Sequence, residues 1–220
     1  MNGNFRRWAI ALLCLSLALS ALACGQASNS NSDVDDAAES NVKTGIKPEP
    51  DAEAAIIETD YGRIVIELYS NLAPQMVARF KKLAGDGFYN GTAIHRIDPE
   101  LGIIQGGDPN SRDANPLNDG MGSSNEPNLP AEFSDILYER GTVGAARAQT
   151  PDSANCQFYI TLKRQPAFDK QYTVFGRVIE GIGNADIIST APVTEGADRP
   201  ADKVIVKSIT LAPRANFQKQ

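Results

Sequence analysis

The chain has 220 residues, 42% of them apolar and 22% charged, which is enough to bury one core with additional segments around it. Its formal net charge of −6 argues against a general binder of phosphate backbones, which needs a clustered basic surface. Three cysteines and one histidine argue against a zinc site built from those ligands, and the lack of any unbroken apolar run of about 18 residues argues against a multi-span membrane protein.

The first element is a leader. Arg6 and Arg7 precede residues 8–23, which are dominated by Ala and Leu and broken by Ser16 and Ser20. A charged start, an apolar middle and a small-residue end make a secretory signal over residues 1–23. The run ends in Ala21-Leu22-Ala23-Cys24-Gly25, which resembles the lipobox of bacterial lipoproteins. The resemblance implies that the thiol of Cys24 is lipidated and that acyl chains hold the protein at a membrane.

Residues 24–53 then read as an acidic, disordered linker. Asp33, Asp35, Asp36, Glu39, Glu49, Asp51 and Glu53 stand against Lys43 and Lys47, and the segment offers almost nothing to a core. Cys14 leaves with the signal and Cys24 carries lipid, so Cys156 stands alone and no internal disulfide is expected.

From Ala54 the apolar period is mainly two. Residues 56–59 and 63–68 flank Asp60-Tyr61-Gly62, a hairpin signal, with Ile64, Ile66 and Leu68 on one face. A helix begins near Pro74, since proline suits a first helical turn, and Val77, Phe80, Leu83 and Ala84 recur at helical spacing. Arg79, Lys81 and Lys82 complement the dipole, and Gly85 and Gly87 end the helix.

Further strands are predicted over 92–97, 103–105, 142–147, 157–161, 173–179 and 203–211, with a second helix over 184–190 and a loop over 108–130. The reading is a mainly β domain over 54–213, an eight-stranded closed antiparallel barrel capped by two α-helices, with a tail at 214–220. Periodicity by itself does not separate the barrel from a sandwich.

Three segments carry the chemistry: H-R-I-D-P-E-L-G-I-I-Q-G-G-D-P from His95, G-T-V-G-A-A-R-A from Gly141, and C-Q-F-Y-I-T from Cys156 followed by F-D-K-Q-Y-T-V-F-G from Phe168. Together, over residues 54–211, they resemble the cyclophilin-type peptidyl-prolyl cis-trans isomerases. The resemblance implies a cyclophilin-like barrel, proline isomerisation, and no metal or cofactor.

Amide resonance sets a barrier of ~18–20 kcal/mol to rotation about a peptide bond. Twisting the C–N bond returns a lone pair to the prolyl nitrogen, and a fixed cationic donor aimed there stabilises the twisted form selectively. Arg96 matches the family's catalytic arginine, and a guanidinium keeps its charge and offers a rigid fork of donors.

The resemblance also implies a substrate groove. Gln105 and Gln157 match its two glutamines. Tyr159 stands where a pocket Phe is usual, and Phe168 and Tyr172 fall at further pocket positions. Ile103 holds an apolar position often taken by Met. Ala146 and Arg147 present backbone to the substrate. Strand alternation turns Gln157 and Tyr159 to the groove and Phe158 to the core.

Between Pro99 and Gln105 there are five residues where four are usual, so either Leu101 or Gly102 replaces another pocket Phe. Ala167 and Tyr172 replace a Trp and a His of other members, which predicts weak cyclosporin affinity. His95, the only histidine, is expected to play a structural, hydrogen-bonded role, because no G-x-S-x-G accompanies it.

The expected protein is a monomeric isomerase, extracytoplasmic and held to a bacterial membrane through lipid on Cys24. Its partners are proline-containing unfolded or exported polypeptides, with no nucleic acid. The rival reading is a proline-peptide binding module or holdase with little turnover, suggested by Leu101-Gly102 and Ala167.

Overall fold

The computed structural model describes residues 41–194 and 197–217. The signal at 1–23, Cys24, the linker up to residue 40 and residues 218–220 lie outside the described residues. Among the described residues no helix is long and apolar enough to cross a membrane.

The first hairpin forms where the alternation places it, as β1 (Glu53–Thr59) and β2 (Gly62–Leu68), with Ile57 opposite Ile64 and Thr59 opposite Gly62. Thr59 closes the turn: its Oγ1 accepts from the Tyr61 N–H at 3.0 Å and donates to the Gly62 carbonyl at 2.8 Å. Gly62 takes φ +104°, a left-handed backbone open to a residue without Cβ.

Helix α1 (Pro74–Gly85) follows and buries Met76, Val77, Phe80, Leu83 and Ala84. Ala73 offers its N-terminus no side-chain cap. The buried carboxylate of Glu132 caps it instead, accepting from the N–H groups of Gln75 at 3.1 Å and Met76 at 3.0 Å.

The remaining elements are β3 (Ala93–Ile94), β4 (Arg96–Asp98), β5 (Ile103–Gly106), β6 (Thr142–Ala145), β7 (Phe158–Thr161), β8 (Val174–Glu180), α2 (Ile182–Ser189) and β9 (Val204–Pro213). The sheet runs β3-β9-β1-β2-β8-β6-β7-β5-β4, with each of these pairs antiparallel.

Among the described residues nine strands therefore replace the expected eight, because the run 92–97 divides at His95. Its first half pairs with β9 and its second with β5, and the His95 N–H still donates to the Gln105 carbonyl at 3.0 Å. One broken strand thus joins the two ends of the sheet, and the barrel is nearly closed. Phe80 of α1 reaches into it, its ring 5.3 Å from Tyr89, 5.6 Å from Phe158 and 5.3 Å from Phe175.

One expected boundary moves. Residues 41–53 belong with the barrel, contrary to the disordered linker read there. The Lys43 N–H donates to the Phe133 carbonyl at 2.9 Å, and its Nζ donates to the Leu72 carbonyl at 2.6 Å. Asp51 pairs with Lys81 at 2.7 Å and accepts from the Ser70 hydroxyl at 2.7 Å. A polar segment with no core residues reads as a spacer, but here its bonds are all to distant parts of the chain.

At the other end, Arg214–Phe217 of the tail form a 3-10 turn. Arg214 pairs with Glu67 at 3.0 Å, and Arg63 lies over the Phe217 ring at 5.8 Å.

Candidate active site

Register assembles the site. Arg96 on β4 is the Cα partner of Gln105 on β5, and Gln105 is in turn the partner of Tyr159 on β7. Gln105 donates through Nε2 to Oε1 of Gln157 at 3.0 Å. Gln157 donates to the carbonyls of Gly120 at 3.0 Å and Gly122 at 2.9 Å. A polar track thus runs from the strands to the long loop 108–130. That loop is held by buried Asp108, whose carboxylate accepts from the N–H groups of Asn110 and Gly120.

Two adjoining cavities lie along the track. One of about 480 Å³ is lined by Arg96, Gln105, His95, Met121, Arg147 and Asp198 among others. One of about 270 Å³ is lined by Gln105, Gln157, Ala146, Arg147, Met121 and Asn155 among others. Gln105, Gly120, Met121 and Arg147 belong to both.

The guanidinium of Arg96 sits between two carboxylates. Its Nη2 is 2.6 Å from Asp98 Oδ2 and 3.1 Å from Asp198 Oδ2, and its Nε donates to the same oxygen of Asp198 at 3.2 Å. Arg147 is satisfied differently, by the carbonyls of Ala148, Gln149 and Gln171, with its guanidinium 4.5 Å above the Tyr172 ring. The Ala146 N–H donates to the Gln157 carbonyl at 3.0 Å, which ties the backbone of that segment to the same track.

The family model described as Cyclophilin type peptidyl-prolyl cis-trans isomerase/CLD matches residues 54–211. The chain belongs to this family. It is 40% identical over 173 residues to a probable peptidyl-prolyl cis-trans isomerase of Brucella suis, covering 76% of this chain and 87% of that one. It is 36% identical over 159 residues to peptidyl-prolyl cis-trans isomerase-like 1 of Homo sapiens, covering 69% and 89%. Among solved structures it resembles a Cryptosporidium parvum cyclophilin crystallised in the presence of the dipeptide Ala-Pro. The TM-score is 0.65 at 27% identity, over 72% of this chain and 98% of that one. Family membership carries peptidyl-prolyl cis-trans isomerase activity with it.

In this cyclophilin the apolar site residues gather, and most of them are buried. Ile103, Tyr159 and Phe168 belong to a second buried cluster with Tyr69, Leu72, Tyr138 and Val174, against which Leu101, Ala146 and Tyr172 pack. Tyr159 is 3% exposed and Phe168 9%. Ring centroids lie 5.5 Å apart for Tyr159 and Phe168, 5.0 Å for Phe168 and Tyr172, and 5.8 Å for Tyr159 and Tyr172.

Tyr159 lies on the Gln105 face of the sheet, away from Phe158, and its ring is buried there, stacked on Tyr138 at 5.9 Å and filling the space beside Gly144. Leu101 and Gly102 take different places. Leu101 meets the cluster, whereas Gly102 sits in a turn at φ +61°, where a Cβ would strike Lys163.

His95 is buried at 6% exposure, its ring beside Gly120. Burial holds its pKa below the ordinary value, against the opposing pull of Asp108 and Asp119.

Sequence reasoning missed Asp98, Asp198, Met121 and Asn155. Asp98 was within reach, since residues two apart on a strand share a face. The others come from distant loops and carry no local signal.

Proposed function

We propose that this cyclophilin accelerates X-Pro isomerisation by presenting Arg96 to the prolyl nitrogen as the amide twists. The observation that carries this reading is the pairing of Arg96 with Gln105 on neighbouring strands, both lining one cavity, with Gln105 tethered to Gln157. In the planar amide the nitrogen lone pair is delocalised and accepts nothing. At the twisted geometry it becomes an acceptor, and a donor already in place needs no reorganisation to meet it. Gln105, Gln157 and the backbone at Ala146 and Arg147 hold the flanking peptide. Leu101 and half-exposed Tyr172 offer the apolar surface for the ring, backed by the buried cluster of Ile103, Tyr159 and Phe168.

The test is exchange NMR on a short Pro-containing peptide. Arg96→Ala is expected to lower kcat/KM about a hundredfold, the loss of one strong transition-state contact. Equal rates for the variant and the wild type would remove Arg96 from the mechanism.

The substrates in this reading are unfolded or exported polypeptides, met as a monomer on the extracytoplasmic side of a bacterial membrane. Support comes from Arg6-Arg7, the apolar run behind them and Ala21-Leu22-Ala23-Cys24-Gly25. In cells fed labelled palmitate, the full chain is expected to take up label and Cys24→Ser to lose it and leave the membrane fraction. Label retained by Cys24→Ser would rule out that anchor.

One observation favours a proline-peptide binding module or holdase: Arg96 is already engaged by two carboxylates. Peptide binding without accelerated exchange in the same NMR measurement would support that second reading.

A further inference from the structure

We infer that Asp198 is a positioning residue for Arg96, so that the donor is aimed by a loop distant in sequence. The inference rests on the assignment of Arg96 as the catalytic donor. Asp198 lies 102 positions beyond Arg96, on a loop pinned beside the site by its own backbone. The Ile97 N–H donates to the Asp198 carbonyl at 2.6 Å, so the loop is fastened to the edge of β4 at the residue next to Arg96. Within the loop, the Thr194 N–H donates to the Arg199 carbonyl at 2.8 Å and the Ala201 N–H to the Pro192 carbonyl at 2.7 Å. Arg199 Nη1 then donates to the Pro116 carbonyl at 3.0 Å, which ties this loop to the other loop lining the same cavity.

The contact is one-sided. A single carboxylate oxygen of Asp198 accepts from Nε and Nη2, while Asp98 accepts from Nη2 only. Nη1 makes no hydrogen bond among the described residues. Asp98 is itself fixed, because its Oδ1 accepts from the Leu101 N–H at 2.8 Å. Asp98 alone would leave the planar group able to pivot about one nitrogen. Adding Asp198 at Nε fixes its plane and leaves the Nη1 corner for the substrate.

A second carboxylate also dilutes the positive charge of the donor. Both side chains are partly exposed, 36% for Arg96 and 48% for Asp198, so that penalty is screened by solvent, whereas the gain in orientation is not. For the same reason the pair adds little to stability, and variants at Asp198 are expected to fold.

The test measures kcat, KM, peptide affinity and thermal midpoint on the full chain. Asp198→Ala is expected to lower kcat about tenfold with affinity and midpoint unchanged, the effect of a misaimed donor. Asp198→Asn keeps an acceptor oxygen and is expected to lose only about threefold. In an Arg96→Ala background neither change should matter further. A wild-type or raised kcat for Asp198→Ala, with Arg96→Ala impaired, overturns the role of Asp198 and leaves that of Arg96 standing. A fall in kcat matched by falls in affinity and midpoint also overturns it, as a structural effect. Wild-type turnover by Arg96→Ala overturns both.

Discussion

The barrel interior and the face that carries Arg96 share strands but obey different rules. Inside, Phe80, Tyr89, Phe158 and Phe175 are almost wholly buried and meet ring against ring. Outside, Arg96, Gln105 and Gln157 are half-buried; Gln105 bonds Gln157, and Arg96 and Gln157 bond to loops. Gln157 and Phe158 are neighbours in the chain, yet one belongs to each region. Stability and chemistry are therefore separable one residue at a time, because successive side chains of a strand point to opposite sides.

The comparison is tested hardest at the centre of the interior. Phe80→Ala removes a ring contacted from three sides and is expected to cost about 3–5 kcal/mol of unfolding free energy by urea titration. The fraction that remains folded should keep the wild-type turnover. A loss of turnover larger than the loss of folded protein would show that the two regions are coupled.

Glu132 probes the seam between helix and barrel. Glu132→Ala uncovers two N–H groups at the start of α1 and is expected to cost about 1–2 kcal/mol in the same titration. Turnover should again be unchanged once the loss of folded protein is allowed for.

His95 sharpens the comparison most gently, because it sits where the regions meet. Its folded pKa is lowered from 6.5 by burial, so the unfolded chain takes up the proton first. Its contribution is complete above the unfolded value and is lost as pH falls through and below about 6.5, with a slope of at most about 1.4 kcal/mol per pH unit. Urea midpoints at several pH values between 7.5 and 5 should therefore fall less steeply for His95→Gln than for the wild type. Parallel profiles would remove His95 as the source of that dependence.

Much of the fold was legible in the chain. The alternation at Ile64, Ile66 and Leu68, the turn at Gly62 and the helical spacing from Pro74 to Ala84 all appear in the structure where they were read. The break of a strand at His95 was not legible, since both halves have the same alternating pattern. The docking of residues 41–53 was hidden for a related reason: its hydrogen bonds run to Leu72, Phe133 and Lys81, and nothing local announces them.

At the site, the placement of Arg96 beside Gln105 follows from two short strands joined by a turn. The carboxylate of Asp198 on Arg96 and the Gly120 and Gly122 carbonyls on Gln157 depend on loops whose path no periodicity encodes.

Residue order alone determined most of the strands, both helices and the family, because side-chain period and short motifs are properties of a few consecutive residues. Tertiary structure decided the aromatic cluster around Tyr159, the burial of His95 and the Asp198 carboxylate on Arg96. Each of these arises where segments tens of residues apart compete for the same space or the same hydrogen bonds.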